Sequence, residues 1–256
     1  MRIALRLVAL PFFAATLSTA TVAEAAGFSC RETPIVHSNI ALGSIGQRVA
    51  QGQPLAILAI GSSTTEGIGA SEKARTYPAR LQALLGKAWP KTKIDMVNAG
   101  IGGETAPQTL ARLKTALAER SYDLVIWQVG TNDAVTGGDM EAFRTMVADG
   151  IGMVKRAGTA LAILDQQFYP SIKDPQRYAA YVAAVGDVAR REAVPVFGRY
   201  QAMTEWYRSD AEAFKSVLWQ DGFHMSDAGY DCLARNMALS LTEMTGPARP
   251  VVAQSR

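Results

Sequence analysis

Five short apolar runs, at residues 55–60, 94–98, 124–129, 160–165 and 194–197, alternate along this chain with stretches of helical periodicity. That alternation constrains the fold more than any other feature. A short apolar run followed by a helical segment reads as a strand with its crossover helix, and repeating the unit gives a parallel sheet covered on both faces. Candidate helices lie at 77–85, 106–120, 140–156, 175–192, 205–217 and 227–244. In the second, Leu110, Leu113 and Leu117 are spaced by three and four, so one stripe faces the sheet. Asp174-Pro175 supplies a cap and a first-turn proline, Ser226 caps the last helix, and Gly86 and Gly158 mark helix ends. The expected fold is an α/β, three-layer α/β/α sandwich on a five-stranded parallel sheet, one domain over 26–256 with its core at about 55–246.

The N-terminus reads as a secretory signal over 1–25. Arg2 and Arg6 precede an apolar stretch, and Ala23-Glu24-Ala25 is a small-residue cleavage site. The apolar stretch is shorter than the ~20 residues a membrane span needs, so the mature protein is expected to be exported, with no stable membrane insertion. An oxidising compartment permits a disulfide between Cys30 and Cys232, which would tether the mature N-terminus to the last helix; two free thiols are the alternative. The formal charge of +3 forms no dense Lys/Arg run, so nucleic acid is not an expected partner. Two histidines and two cysteines, widely spaced, make no metal-ligand pattern, and neither metal nor cofactor is expected. Oligomeric state is not legible.

In a doubly wound sheet the loops at the carboxyl ends of the strands converge on one crevice. Polar residues fall in those loops: Ser62 and Ser63 after the first run, Asn98 to Thr105 after the second, and Gly130-Thr131-Asn132-Asp133 after the third. Asp221 and His224 precede the final helix. Taken singly these residues have ordinary alternatives. Hydroxyls after a strand commonly cap helices, glycine clusters form turns, and a lone histidine such as His37 is usually structural.

Taken together and in order, Gly61-Ser62-Ser63-Thr64-Thr65-Glu66-Gly67, Asn98-x-Gly100-x-x-Gly103-x-Thr105, Gly130-Thr131-Asn132-Asp133 and Asp221-x-x-His224 resemble the four signature blocks of the SGNH (GDSL-type) hydrolases. The resemblance implies a flavodoxin-like sheet and a serine esterase. Ser63 would be the nucleophile, His224 its base and Asp221 the orienter of the histidine. Ser63 and Gly103, through their backbone N–H groups, and Asn132, through its side-chain amide, would form the oxyanion hole. The chain departs from the family in having Ser62 where an aspartate is usual.

The resemblance admits carbohydrate O-acetyl esterases, short-chain acyl esterases, thioesterases and lysophospholipases. Export favours a small-molecule or glycan ester. Trp127, Gln128 and Tyr169, with Gln166 and Gln167, fall near predicted strand ends as candidate substrate contacts. A flavin- or phosphate-binding module accounts for the first block but leaves Asn132, Asp221 and His224 without roles. A catalytically dead binding domain leaves the intact triad unexplained.

Overall fold

The computed structural model describes residues 27–246 apart from 37 and 39. The expected signal segment, His37 and the tail 247–256 therefore lie outside the described residues. Strands β1 (Leu55–Gly61), β2 (Ile94–Gly100), β3 (Leu124–Gln128), β4 (Ala160–Leu164) and β5 (Val196–Phe197) form one parallel sheet in the order β2-β1-β3-β4-β5. β3 is buried throughout and β1 nearly so. Strands enclosed on both faces need continuous apolar runs, which is why neither shows a polar alternation. β2 lies at an edge, and only Ile94 in it is fully buried.

The α-helices are α1 (Gly43–Ala50), α2 (Ser63–Glu66), α3 (Tyr77–Ala88), α4 (Ala106–Glu119), α5 (Thr131–Thr136), α6 (Met140–Arg156), α7 (Pro175–Arg191), α8 (Arg199–Ser209), α9 (Ala211–Phe214) and α10 (Asp227–Thr245). α3, α10 and α1 pack together in one layer, while α4, α6 and α7 form the other, completing the three-layer sandwich. Asp174 caps α7 through the N–H of Arg177 at 2.9 Å, and Ser226 caps α10 through that of Gly229 at 3.4 Å.

Several boundaries differ from expectation. The fifth strand begins at Val196 because Pro195 has no N–H to donate; its carbonyl still accepts from Ile163 at 2.9 Å. The helix expected over 205–217 starts earlier, at Arg199, and is interrupted. Asp210 leaves the helical conformation at φ −158°, and its carboxylate accepts from the N–H of Ala213 to begin α9. Gly86 lies inside α3 and not at its end, whereas Gly158 follows α6 in the left-handed region at φ +70°. The short helices α2 and α5 sit in the functional loops, and four or six residues are too few for a periodic signal.

Cys30 and Cys232 form a disulfide with Cα atoms 5.5 Å apart. It holds the N-terminal segment against α10, where Ile35 donates to Ser240 Oγ at 2.8 Å and Arg235 pairs with Glu32 at 2.7 Å. That segment continues to β5, where Gly198 donates to the carbonyl of Ile35. The bridge thus adds a covalent tether to a strip that also packs through Phe28 against Trp206 and through Ile35 into the core.

Candidate active site

Ser63 opens α2 immediately after β1 and is largely buried, the residue being 6% exposed. Ser62 precedes it and points elsewhere. Its backbone N–H and hydroxyl both donate to Gln128 Oε1, at 2.7 and 3.1 Å. Ser62 makes no side-chain capping bond to α2, so the helix-cap alternative does not describe it. The following hydroxyls are also engaged. Thr64 Oγ1 donates to Gln167 Oε1 and accepts from Arg199, and Thr65 Oγ1 bonds Tyr77 and Gln128. A phosphate cradle needs donors aimed into open space, and this loop directs these hydroxyls inward.

Asp221 and His224 lie in a loop closed by an isolated bridge between Leu218 and Met225. The Asp221 Oδ2 stands 2.6 Å from His224 Nδ1, while its Oδ1 accepts from the backbone N–H groups of Phe223 and His224, each at 2.9 Å. Burial raises the Asp221 carboxyl, but the ring hydrogen bond from His224 and the two backbone donors together outweigh it. The group is held below the ordinary carboxylate range. An ionised carboxylate at Nδ1 fixes the ring with Nε2 facing away from Asp221, the orientation a base needs. Phe223 and His224 rings are 4.8 Å apart and nearly perpendicular, and Phe223 packs edge-on against Tyr169 in turn.

One side chain links this loop to the serine loop. Gln167 accepts from Thr64, next to Ser63, and donates from Nε2 to the carbonyl of Phe223, next to His224, at 2.9 Å. Its backbone carbonyl accepts from Tyr178 Oη at 2.8 Å. The loops carrying Ser63 and His224, far apart in sequence, are therefore held across a single amide. Buried Arg199 adds a second link, donating to Thr64 Oγ1 at 2.8 Å, Thr131 Oγ1 at 3.4 Å and the Asp165 carbonyl at 2.7 and 3.0 Å. It joins the loops after β1, β3 and β4.

The glycine-rich loop after β2 approaches from the other side. Gly100 is required because a Cβ there would overlap the backbone of Thr65 and Glu66 in α2. Gly102 donates to Glu66 Oε2 at 2.6 Å. Gly103 has φ +80°, where a side chain would be strained, and the space a Cβ would occupy is open. Asn132 donates from Nδ2 to the Glu104 carbonyl at 2.7 Å, which leaves its second amide hydrogen for another acceptor. Arg112 clamps the same loop, pairing with Glu104 and donating to the carbonyls of Ala99 and Gly61. Asp133, buried, accepts from Ala106 N through both carboxylate oxygens and so fixes the start of α4 to α5.

Four of the five expected substrate contacts are placed differently. Trp127 is fully buried in β3, donating to Thr109 Oγ1, and a Cβ on Gly150 would overlap its ring; it is a packing residue. Gln128 is likewise buried and holds the serine loop from beneath. Gln166 and Gln167 are buried as well, the latter as the linker described above. β3 is enclosed by a helix layer on each face, so both orientations of its alternating side chains are buried, and proximity to a strand end does not overcome this. Tyr169 remains beside the histidine loop, 8% exposed. Arg199 carried no signal in the sequence beyond an arginine just past an apolar run. Among the described residues no group of three or more His, Cys, Asp or Glu is arranged to hold a metal ion, and no helix is long and apolar enough to cross a membrane.

A family model described as the non-GDSL lipase-like family matches residues 29–246. The esterase TesA of Pseudomonas aeruginosa is 25% identical over 181 residues, covering 71% of this chain and 85% of TesA. A TesA crystal structure superposes with a TM-score of 0.64 at 24% identity, over 74% of this chain and 99% of that one. A two-domain esterase active on acetylated mannans superposes with a TM-score of 0.66 at 22% identity. That match takes in 86% of this chain but only 59% of the two-domain esterase. A variant of a Geobacillus acetyl-xylooligosaccharide esterase gives a TM-score of 0.61 at 22% identity, over 75% of this chain and 94% of that one.

Proposed function

Since this chain belongs to the non-GDSL lipase-like family, we propose that it is an exported serine hydrolase that removes acetyl or other short acyl groups from carbohydrate through an acyl-enzyme. The observation that carries the reading is the Asp221–His224 pair held across Gln167 from the loop of Ser63. Ser63 Oγ attacks the acyl carbon while His224 takes its proton; His224 then returns that proton to the departing sugar oxygen. Water repeats the sequence on the acyl-enzyme and releases the acid. The developing oxyanion is met by the N–H groups of Ser63 and Gly103 and the free amide hydrogen of Asn132, donors already fixed before reaction.

The carbohydrate preference rests on the acetyl-glycan esterases among the structural relatives. The test compares hydrolysis of an aryl acetate, an aryl decanoate and acetylated mannan or xylan. Acetate and acetylated glycan are expected to be turned over, with the decanoate at least about tenfold poorer in kcat/KM, since each buried methylene in a fitted pocket shifts discrimination by roughly 1–3 kcal/mol. A preference for decanoate would replace this reading with that of a thioesterase or lysophospholipase.

Asn132→Ala tests the oxyanion assignment. Its kcat is expected to fall about 10²–10³-fold with KM little changed, because the lost hydrogen bond is made to the transition state. A loss confined to KM would make Asn132 a substrate-binding residue instead.

A further inference from the structure

Resting on the esterase reading above, we propose that the cleft beside His224, lined by Gly69, Ala70, Ser71, Trp219, Ser226 and Asp227, binds a sugar ring of the substrate with the Trp219 indole as its stacking platform. Among the four tryptophans, Trp89, Trp127 and Trp206 are buried, whereas Trp219 is 40% exposed. Single exposed apolar residues need no special cause. The exposed large apolar residues are not scattered here, however. Ile101, Val135 and Trp219 lie on the loops of Gly103, Asn132 and His224 respectively, and only Leu239 lies elsewhere among those described.

Trp219 is coupled to the histidine directly. Its backbone N–H donates to the His224 carbonyl at 2.7 Å. Gly69, in the left-handed region at φ +93°, lets the chain after α2 run against both residues; a Cβ there would stand 3.1 Å from Trp219 Cβ and 3.3 Å from His224 Cβ. The cleft therefore borders the backbone and Cβ of the residue proposed to protonate the departing oxygen.

The chemistry of the cleft matches a sugar better than an acyl chain. Its volume of about 360 Å³ is open to solvent, so it gives an alkyl chain little enclosure. Also lining the cleft, the Asp227 carboxylate accepts from Ser71 N at 2.8 Å and Ser71 Oγ at 2.6 Å. A carboxylate has about four acceptor sites, and those left over suit hydroxyl groups. A pyranose presents an apolar C–H face to an aromatic ring and hydroxyls at its edge. An acyl chain would desolvate Ser71 and Asp227 without returning a hydrogen bond.

The probes are mannopentaose and xylopentaose, which lack acyl groups and test binding without turnover. One or both are expected to shift the intrinsic tryptophan emission of the wild type, because Trp219 is the indole that solvent reaches, and to leave the emission of Trp219→Ala unchanged. In turnover, Trp219→Ala is expected to lose about tenfold or more in kcat/KM on acetylated oligosaccharide while an aryl acetate, too small to span the cleft, changes less than about twofold. Trp219→Tyr should recover most of the loss. No emission shift with either sugar, an equal shift in the variant, or equal losses on both substrates would overturn the proposal. Failure of the esterase reading is seen separately, as a wild type that neither hydrolyses aryl acetate nor is labelled by a serine-directed phosphonate.

Discussion

Ser63→Ala is expected to lower kcat for ester hydrolysis by roughly 10⁴–10⁶-fold and to abolish labelling by a serine-directed phosphonate, while the protein stays folded. The alcohol of a serine is a poor nucleophile without a base, and no other hydroxyl in the loop is placed to substitute. Ser62 donates to Gln128, Thr64 to Gln167, and Thr65 is buried with Tyr77. Ser63 is buried but its hydroxyl makes no hydrogen bond among the described residues, so removing the oxygen costs little stability and the loss belongs to chemistry. Ser62→Ala, by contrast, should keep labelling, since it removes a 3.1 Å bond to Gln128 but leaves the backbone N–H bond at 2.7 Å. Labelling that survives Ser63→Ala and vanishes in Ser62→Ala would move the nucleophile to Ser62.

Arg199→Met is the second large effect, on stability: about 3–5 kcal/mol is expected to be lost, read by urea unfolding. The guanidinium is fully buried and its donors satisfy the Asp165 carbonyl, Thr64 and Thr131. Nearby, burial pushes the Asp165 carboxyl from 3.8 up to about 7, opposed by the N–H of Tyr200 and the Arg199 charge. A folded-state pKa raised in this way means the folded protein holds a proton that the unfolded chain releases. The Asp165 contribution is therefore complete below its ordinary pKa and lost as pH rises through about 7. Without the Arg199 charge the carboxyl is driven higher still, so the penalty should be larger at about pH 8 than at about pH 5. Asp165→Asn in the same background should recover the pH-dependent part, because an amide oxygen can still accept from Tyr200 N. An equal penalty at both pH values would show that Arg199 acts only through its hydrogen bonds to Thr64, Thr131 and the Asp165 carbonyl.

The serine loop also explains what a non-GDSL member has in place of the usual aspartate. Ser62 supplies a hydroxyl to Gln128 at the end of β3, so the loop is anchored to the neighbouring strand by a neutral bond. Gln128 then cannot serve as the substrate contact its position near a strand end suggested. The same reversal applies to Trp127 and Gln167, whose polar atoms and rings are used in holding the site together.

The five strands, their alternation with helices and the layer structure were legible because period and length are local properties, so apolar runs and helical stripes appear directly in the chain, whereas the order of the strands in the sheet came from the structure. Ser63, Gly103, Asn132, Asp221 and His224 could be named as one candidate set because their blocks resemble, in order, those of the SGNH hydrolases, and parallel strands delivering their carboxyl ends to one edge give such distant blocks a common place. The Asp221–His224 contact is local too, made within one turn. What the tertiary structure alone decided was which way each flanking side chain faces and what it touches. Gln167 joining two distant loops, Arg199 joining three, and Trp219 left in solvent beside His224 depend on contacts between segments far apart in sequence. Those contacts follow from packing in three dimensions, for which the spacing along the chain carries no record.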